Sequence, residues 1–179
     1  PIAGRDITLF IQSLLRERGE EDTTLRTAER IKQEYCYVCS DIVKEFNKFD
    51  RDPQKFAQFI VENSEKTKRK VEIFFNPEIA SSDFLTPLPT VVDQTIQACP
   101  IDVRKGLYNN IVLSGGSTMF KDFGRRLQRD LKGIVNNRIA LSEHLSGTKS
   151  TGVDVQVISH RRQRNAVWFG GSLLAQTAE

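Results

Sequence analysis

Between residues 110 and 175 the chain alternates short aliphatic runs with helical patterns, and few architectures accept that order. The first run, Asn110–Leu113 in "NNIVLSGG", ends at a glycine pair. A helical pattern follows from about Met119 to Val135, then a second aliphatic run in "VQVISH" (155–160), then another helical pattern from about Asn165 to Ala175. Two strands separated by a whole helix cannot close as a hairpin. The order predicts a parallel βαβ unit and hence an α/β lobe. The polar, glycine-bearing stretch "SEHLSGTKSTG" (142–152) reads as a surface insertion within the crossover.

Gly115 and Gly116 fall where the first strand ends and a helix begins. Glycine costs backbone entropy and offers nothing to pack, so two in succession indicate a tight turn or a close approach by a ligand. Ligands of open α/β sheets gather at the carboxyl ends of strands. Amide groups at a helix start favour phosphate or another polar group. Ser117 and Thr118 add hydroxyls. The segment has no lysine after its glycines and is no GxGxxG, so it is neither a P-loop nor a dinucleotide fingerprint. From the pattern alone, a plain turn and a ligand cradle stand level. A second pair, Gly170–Gly171 in "NAVWFGGSLLA", sits inside a helical pattern, which predicts close packing by another backbone with Trp168 as a core anchor.

The first third reads as helical. Ile7, Phe10, Ile11, Leu14 and Leu15 have helical spacing in 6–18, with Gly19 as the stop. In 24–46, Ala28, Ile31, Tyr35, Val38, Ile42 and Phe46 keep one stripe for several turns, predicting a single long helix. A third helix is expected over 52–63, with Pro53 in its first turn, and a fourth from about Thr90 to Ala98.

Several chemistries are disfavoured. "CYVC" would place Cys36 and Cys39 one helical turn apart, but with only Cys99 remaining and both histidines distant, buried thiols fit better than a metal site. Three cysteines cannot all pair, which suits a reducing, intracellular setting. "SGGS" lacks the G-x-S-x-G nucleophile elbow. The basic clusters at 66–70, 125–132 and 160–164 contain no interleaved aromatics for base stacking, so nucleic acid is not an expected partner. No apolar run reaches membrane-span length.

Four segments, "AGRD" (3–6), "YCYVCSD" (35–41), "CPIDVRKGLYNNIVLSGGSTMF" (99–120) and "AVWFGGSLLA" (166–175), occur in the order and approximate spacing of the actin family, which the chain resembles through nearly its whole length. The resemblance implies an actin-like ATPase lobe of ribonuclease-H-like α/β fold with a helical outer subdomain, a fragment of a two-lobed protein that holds ATP with Mg2+ or Ca2+ in its cleft. Residues 1–83 would match the outer subdomain (actin subdomain 4-like), 84–164 the inner one (subdomain 3-like), and 165–179 the start of the returning C-terminal segment (subdomain 1-like). Carried over residue by residue, Gly115, Gly116, Ser117, Met119 and Phe120 line the nucleotide. Gly4 approaches the ribose, Lys32 and Gln33 flank the adenine, and Arg164 closes over the base.

The sequence departs from the family in places. Gln33 stands where glutamate is usual, Phe120 replaces tyrosine, and Asn165 replaces an aromatic. A longer connection is expected between Val71 and Glu72. No metal ligand and no catalytic residue can be assigned, because the first lobe's phosphate loops and metal-organising acids are not in this sequence.

The insertion and "PIDVRKGLY" resemble the family members that act in a seven-subunit complex nucleating branched filaments. The partners so implied are the complex's other subunits, including actin-related protein 2, together with actin and nucleation-promoting factors. Pro100, Ile101, Asp102 and Val103 would form a filament contact, and the setting would be cytoplasmic, in the actin cytoskeleton. A conventional filament-forming actin-like ATPase and a small-molecule kinase of the same superfold are the alternatives.

Overall fold

A computed structural model describes residues 3–39, 41–51, 69–70, 72–79, 83 and 85–177. The chain divides into two compact units, Pro1–Asp83 with Phe120–Asp122, and Phe84–Met119 with Phe123–Glu179. The helix expected over 52–63 and the junction at Val71 lie outside the described residues.

In the first unit, helix α1 spans Gly4–Glu17 and helix α2 Leu25–Tyr35. The Ala3 amide donates to Asp6 Oδ2 at 2.7 Å, closing the start of α1, and Gly19, at φ 70°, follows its end. Ile7, Ile11 and Leu15, four residues apart, place their side chains on one stripe. That stripe is buried with Ala28, Cys36 and Ile73. Thr24 caps α2 by accepting from the Thr27 amide at 3.2 Å.

The long helix expected over 24–46 does not form. At Cys36 the backbone turns extended (φ −84°, ψ 144°), and strand β1, Cys36–Tyr37, pairs in parallel with β2, Arg69–Lys70. The Val38 amide donates to the Lys121 carbonyl at 3.1 Å. Helix begins again as α3, Ile42–Arg51, where Asp41 Oδ1 accepts from the Val43 and Lys44 amides. The physical reason lies in Tyr35–Cys39, an unbroken apolar run that fits a buried strand as well as a helix. Val38 and Cys39 are adjacent and both buried.

The second unit holds α4 (Leu88–Ala98), α5 (Ile101–Tyr108), β3 (Ile111–Val112), α6 (Phe123–Ser146), β4 (Val157–Ile158) and α7 (Ala166–Thr177). Strands β3 and β4 are parallel, with Ile111 opposite Val157 and Val112 opposite Ile158, so the expected βαβ unit forms. Helix α6 runs well past Val135 and takes the first residues of the supposed insertion, leaving 147–152 as an exposed loop. Its Leu131 and Val135 bury against Ile96, Tyr108 and Val155. Helix α5 was not anticipated. Pro100 precedes its first residue and Asp102 lies in its first turn, both favourable to a helix start.

Helix α7 leaves a second expectation unmet among the described residues. None of its residues is buried, Trp168 is 74% exposed, and apart from the helix's own backbone and the glycines' chain neighbours no atom comes within 4 Å of a Cβ built on Gly170 or Gly171. Among the described residues nothing packs on that glycine pair, and Trp168 anchors no core here. No described helix is long and apolar enough to cross a membrane.

Candidate functional site

Of the nucleotide-contacting residues expected in the first unit, three come together around a residue the sequence reading did not name. Glu29, on α2, accepts from Lys32 Nζ at 2.6 Å, Thr8 Oγ1 at 2.6 Å and Gln33 Nε2 at 2.8 Å. Lys32 also donates to the Gly4 carbonyl at 3.0 Å and to Thr8 Oγ1 at 2.8 Å. An ammonium has three N–H groups, so all of Lys32's donors are taken by the protein. What Lys32 has left for a neighbouring ligand is its aliphatic stem. The network joins the first turn of α1 to the last turn of α2.

Partial burial pushes the Glu29 carboxyl up, but the hydrogen bonds from Lys32, Thr8 and Gln33, with the Lys32 charge, outweigh it and hold the group at about 2. It is therefore ionised at neutral pH. Glu29 is legible in the sequence only as a partner three and four residues before Lys32 and Gln33 on one helix face.

In the second unit the glycine pair forms the turn leaving β3. Gly115 has φ 95°, which disfavours any residue with a Cβ, and its amide donates to the Gln163 carbonyl at 2.8 Å. Gly116–Met119 is a short 3-10 turn. The buried Gln163 side chain ties it down, with Nε2 donating to the carbonyl and hydroxyl of Thr118 at 3.1 and 3.0 Å. Gln163 sits within a basic run, and nothing in the sequence marks it as a brace. Gly116 is exposed, its φ is ordinary, and a Cβ there would meet only Arg164 Cγ, at 3.9 Å. Backbone strain against a side chain therefore lies at Gly115 alone. Ser117 is half-buried, and Met119 and Arg164 are exposed. Phe120 belongs to the first unit, where it is half-buried against the Ile7–Ile11–Leu15 cluster.

Pro100–Val103 forms the exposed start of α5, with Ile101 at 74% and Val103 at 47% exposure. Cys36 and Cys39 are buried in an extended segment, not one turn apart on a helix, and Cys99 is half-buried. Among the described residues no three His, Cys, Asp or Glu side chains are grouped to hold a metal ion.

The model of the actin family matches residues 13–179. The chain is 87% identical to actin-related protein 3 of Saccharomyces cerevisiae, over 100% of this chain and 42% of that protein. Identity is 66% to the Schizosaccharomyces pombe protein of that name, over 44% of its length, and 57% to the Dictyostelium discoideum one, over 47%. This chain spans less than half the length of each. The first alignment is 190 positions long against 179 residues, so that relative has residues within the stretch that find no counterpart here. With the family matched from residue 13 to the last, and with relatives of that name aligned over the whole chain, the chain belongs to the actin family.

Proposed function

We propose that this chain is part of an ATP-binding subunit of the actin-related protein 2/3 complex, which nucleates branched actin filaments and sits in the cytoplasmic actin cytoskeleton. Relatives named actin-related protein 3, aligned over the whole chain, support that reading. Residues 1–83 then correspond to the helical outer subdomain, 84–164 to the inner one, and 165–179 to the start of the returning segment. The proposed partners are the other subunits of the seven-subunit complex, actin-related protein 2 among them, together with actin and nucleation-promoting factors.

The observation that carries nucleotide binding is the Gly115–Met119 turn. It stands at the carboxyl end of parallel strand β3, the position where open α/β sheets take ligands, and Gln163 holds it in shape with Gly116 facing outward. In this reading Gly115, Gly116, Ser117, Met119 and Arg164 of the second unit are nucleotide contacts, as are Gly4, Lys32, Gln33 and Phe120 of the first. A bound divalent metal would help neutralise phosphate charge. No residue of this chain is assigned to it, and none is given a role in hydrolysis, since phosphoryl transfer needs charge neutralised from several sides at once.

Gly116→Val tests the reading in the full-length protein. Its methyl groups would project on the open side of the turn while φ stays permissible, so ATP affinity should fall at least about tenfold with thermal unfolding unchanged. Unchanged ATP affinity in the folded variant would sink it. The filament contact has a separate test. Ile101→Glu with Asp102→Lys replaces an exposed apolar centre and reverses a rim charge, so the complex should assemble yet nucleate poorly.

A further inference from the structure

Only Cys99 and Pro100 separate α4 from α5, and both lie in extended backbone, so the chain makes a sharp corner there. Just beyond it, Ile101 and Val103 stand exposed. The corner is held by a side chain of α5. Arg104 Nε donates to the Cys99 carbonyl at 2.9 Å, and its Nη1 donates to Gln97 Oε1 at 3.2 Å. The Cys99 carbonyl stands at the end of α4, where no intrahelical amide is left to bond it and where the helix dipole favours a cation. A guanidinium carries its N–H groups in one rigid plane, so a single residue fixes both contacts together.

Gln97 carries this constraint inward. The Tyr108 hydroxyl gives its own proton to Asp93 Oδ1 at 2.7 Å, so toward Gln97 it can only accept. It takes Gln97 Nε2 at 2.9 Å, which turns the amide oxygen to Arg104. Tyr108 and Asp93 are both buried, and Arg138 of α6 donates to each. An unbroken run of hydrogen bonds thus leads from the buried centre of the second unit to the carbonyl that precedes Pro100.

We propose that Arg104 is a positioning residue for the filament contact at Pro100–Val103: it holds the corner in the geometry that an actin subunit meets, with Gln97 setting its register on Tyr108. The proposal rests on the filament-contact reading above. Two of the Arg104 N–H groups are turned back onto α4, so its effect on the partner passes through the corner. A small contact has little area with which to offset the ordering of its own backbone on binding. A corner ordered beforehand avoids that cost, and an unbraced one engages its partner only in the fraction of molecules that have the right geometry.

The test uses the assembled complex containing the full-length chain and follows nucleation rate beside thermal unfolding. Arg104→Ala should leave the complex assembled and lower nucleation about threefold to tenfold. Arg104→Lys keeps the charge without the planar fork and should fall between. The same Arg104→Ala change is then made together with Ile101→Ala, which trims the contact itself. There its further effect should be clearly smaller, because the brace acts only through the contact it positions.

Normal nucleation by Arg104→Ala overturns the proposal. So does an equal loss with and without Ile101→Ala, which is what a general weakening of the unit would give. If Arg104→Ala fails to assemble, Gln97→Ala is compared in the same two backgrounds. It should lower nucleation by a smaller factor, and unchanged nucleation or an equal loss in both backgrounds overturns the proposal. Normal nucleation by Ile101→Glu with Asp102→Lys removes the filament-contact reading and this inference with it. Impairment of that variant beside a normal Arg104→Ala removes this inference alone.

Discussion

Each unit holds a knot of one carboxylate, one cation and two neutral polar side chains, and the two knots are built the opposite way round. In the first unit the cation is inside: the Lys32 side chain is 12% exposed and that of Glu29 41%. In the second the carboxylate is inside: Asp93 is 8% exposed and its partner Arg138 37%. Asp93 accepts from the Tyr108 hydroxyl at 2.7 Å and from Arg138. That same hydroxyl accepts from Gln97 at 2.9 Å and from Arg138 at 3.1 Å. Burial and the bond to Asp93 push the Tyr108 phenol above its ordinary value, so it stays neutral and donating. With Asp93 and Tyr108 buried at its centre, the Asp93 knot joins α4, α5 and α6 as a strut. The Glu29 knot joins only α1 and α2 and leaves a carboxylate and an amide at the surface. A closed knot serves stability, while an open one leaves chemistry facing outward.

The sharpest way to break this contrast is Asp93→Ala. It leaves the Tyr108 hydroxyl without its acceptor and Arg138 without its counter-ion, and should destabilise by about 2–4 kcal/mol in chemical denaturation. A loss below about 1 kcal/mol would show that the two knots do not differ as described. Gly115→Ala comes next. With nothing within 4 Å of the added Cβ, only the left-handed backbone resists, at about 1–2 kcal/mol.

Glu29→Ala should cost about 1 kcal/mol at neutral pH, because its exposed side is screened by water. That cost should depend on pH. The folded Glu29 carboxyl sits at about 2, below its ordinary 4.5, so its stabilisation is complete above about 4.5 and drains away as pH falls toward 2. Wild type and variant should therefore converge in acid, and a constant gap from pH 7 to pH 2.5 would contradict the network. Gly116→Val should have the smallest effect on stability, within about 0.5 kcal/mol, beside its large effect on ATP. The difference between Gly115 and Gly116 then separates backbone strain from ligand clearance within one turn.

The parts of this molecule that could be read from the sequence are those where one periodicity holds without a rival. Ile7, Ile11 and Leu15 predict α1, and the two aliphatic runs flanking a helix predict the parallel pair β3–β4. Tyr35–Cys39 is ambiguous because a solid apolar run has no periodicity to choose between helix and strand, and the helix restarts only where Asp41 caps it. Trp168 and the Gly170–Gly171 pair imply a neighbour, and no described residue supplies one. The site was legible as far as residue types carry a motif: the glycine pair, Lys32 and Gln33. Its braces were not. Glu29 and Gln163 act through hydrogen bonds whose partners only the folded chain brings within reach, Thr8 from another helix and Thr118 from across the βαβ unit.

The pairing of β3 with β4 is only two residues deep, and a 24-residue helix lies between its halves. So short a ladder cannot repay the entropy of closing so long a loop by itself. It has to wait until α6 has formed and laid Leu131 and Val135 against Ile96 and Tyr108, which shortens the search. The first unit meets no such delay where α1 and α2 pack, since they are neighbours in sequence and their contacts are local. The glycine turn is therefore expected to finish late in its unit, because the Gly115 amide pairs with the Gln163 carbonyl, which lies beyond β4 in the chain. Pulse-labelled hydrogen exchange would register this as Leu113 and Gly115 gaining protection after the middle of α6.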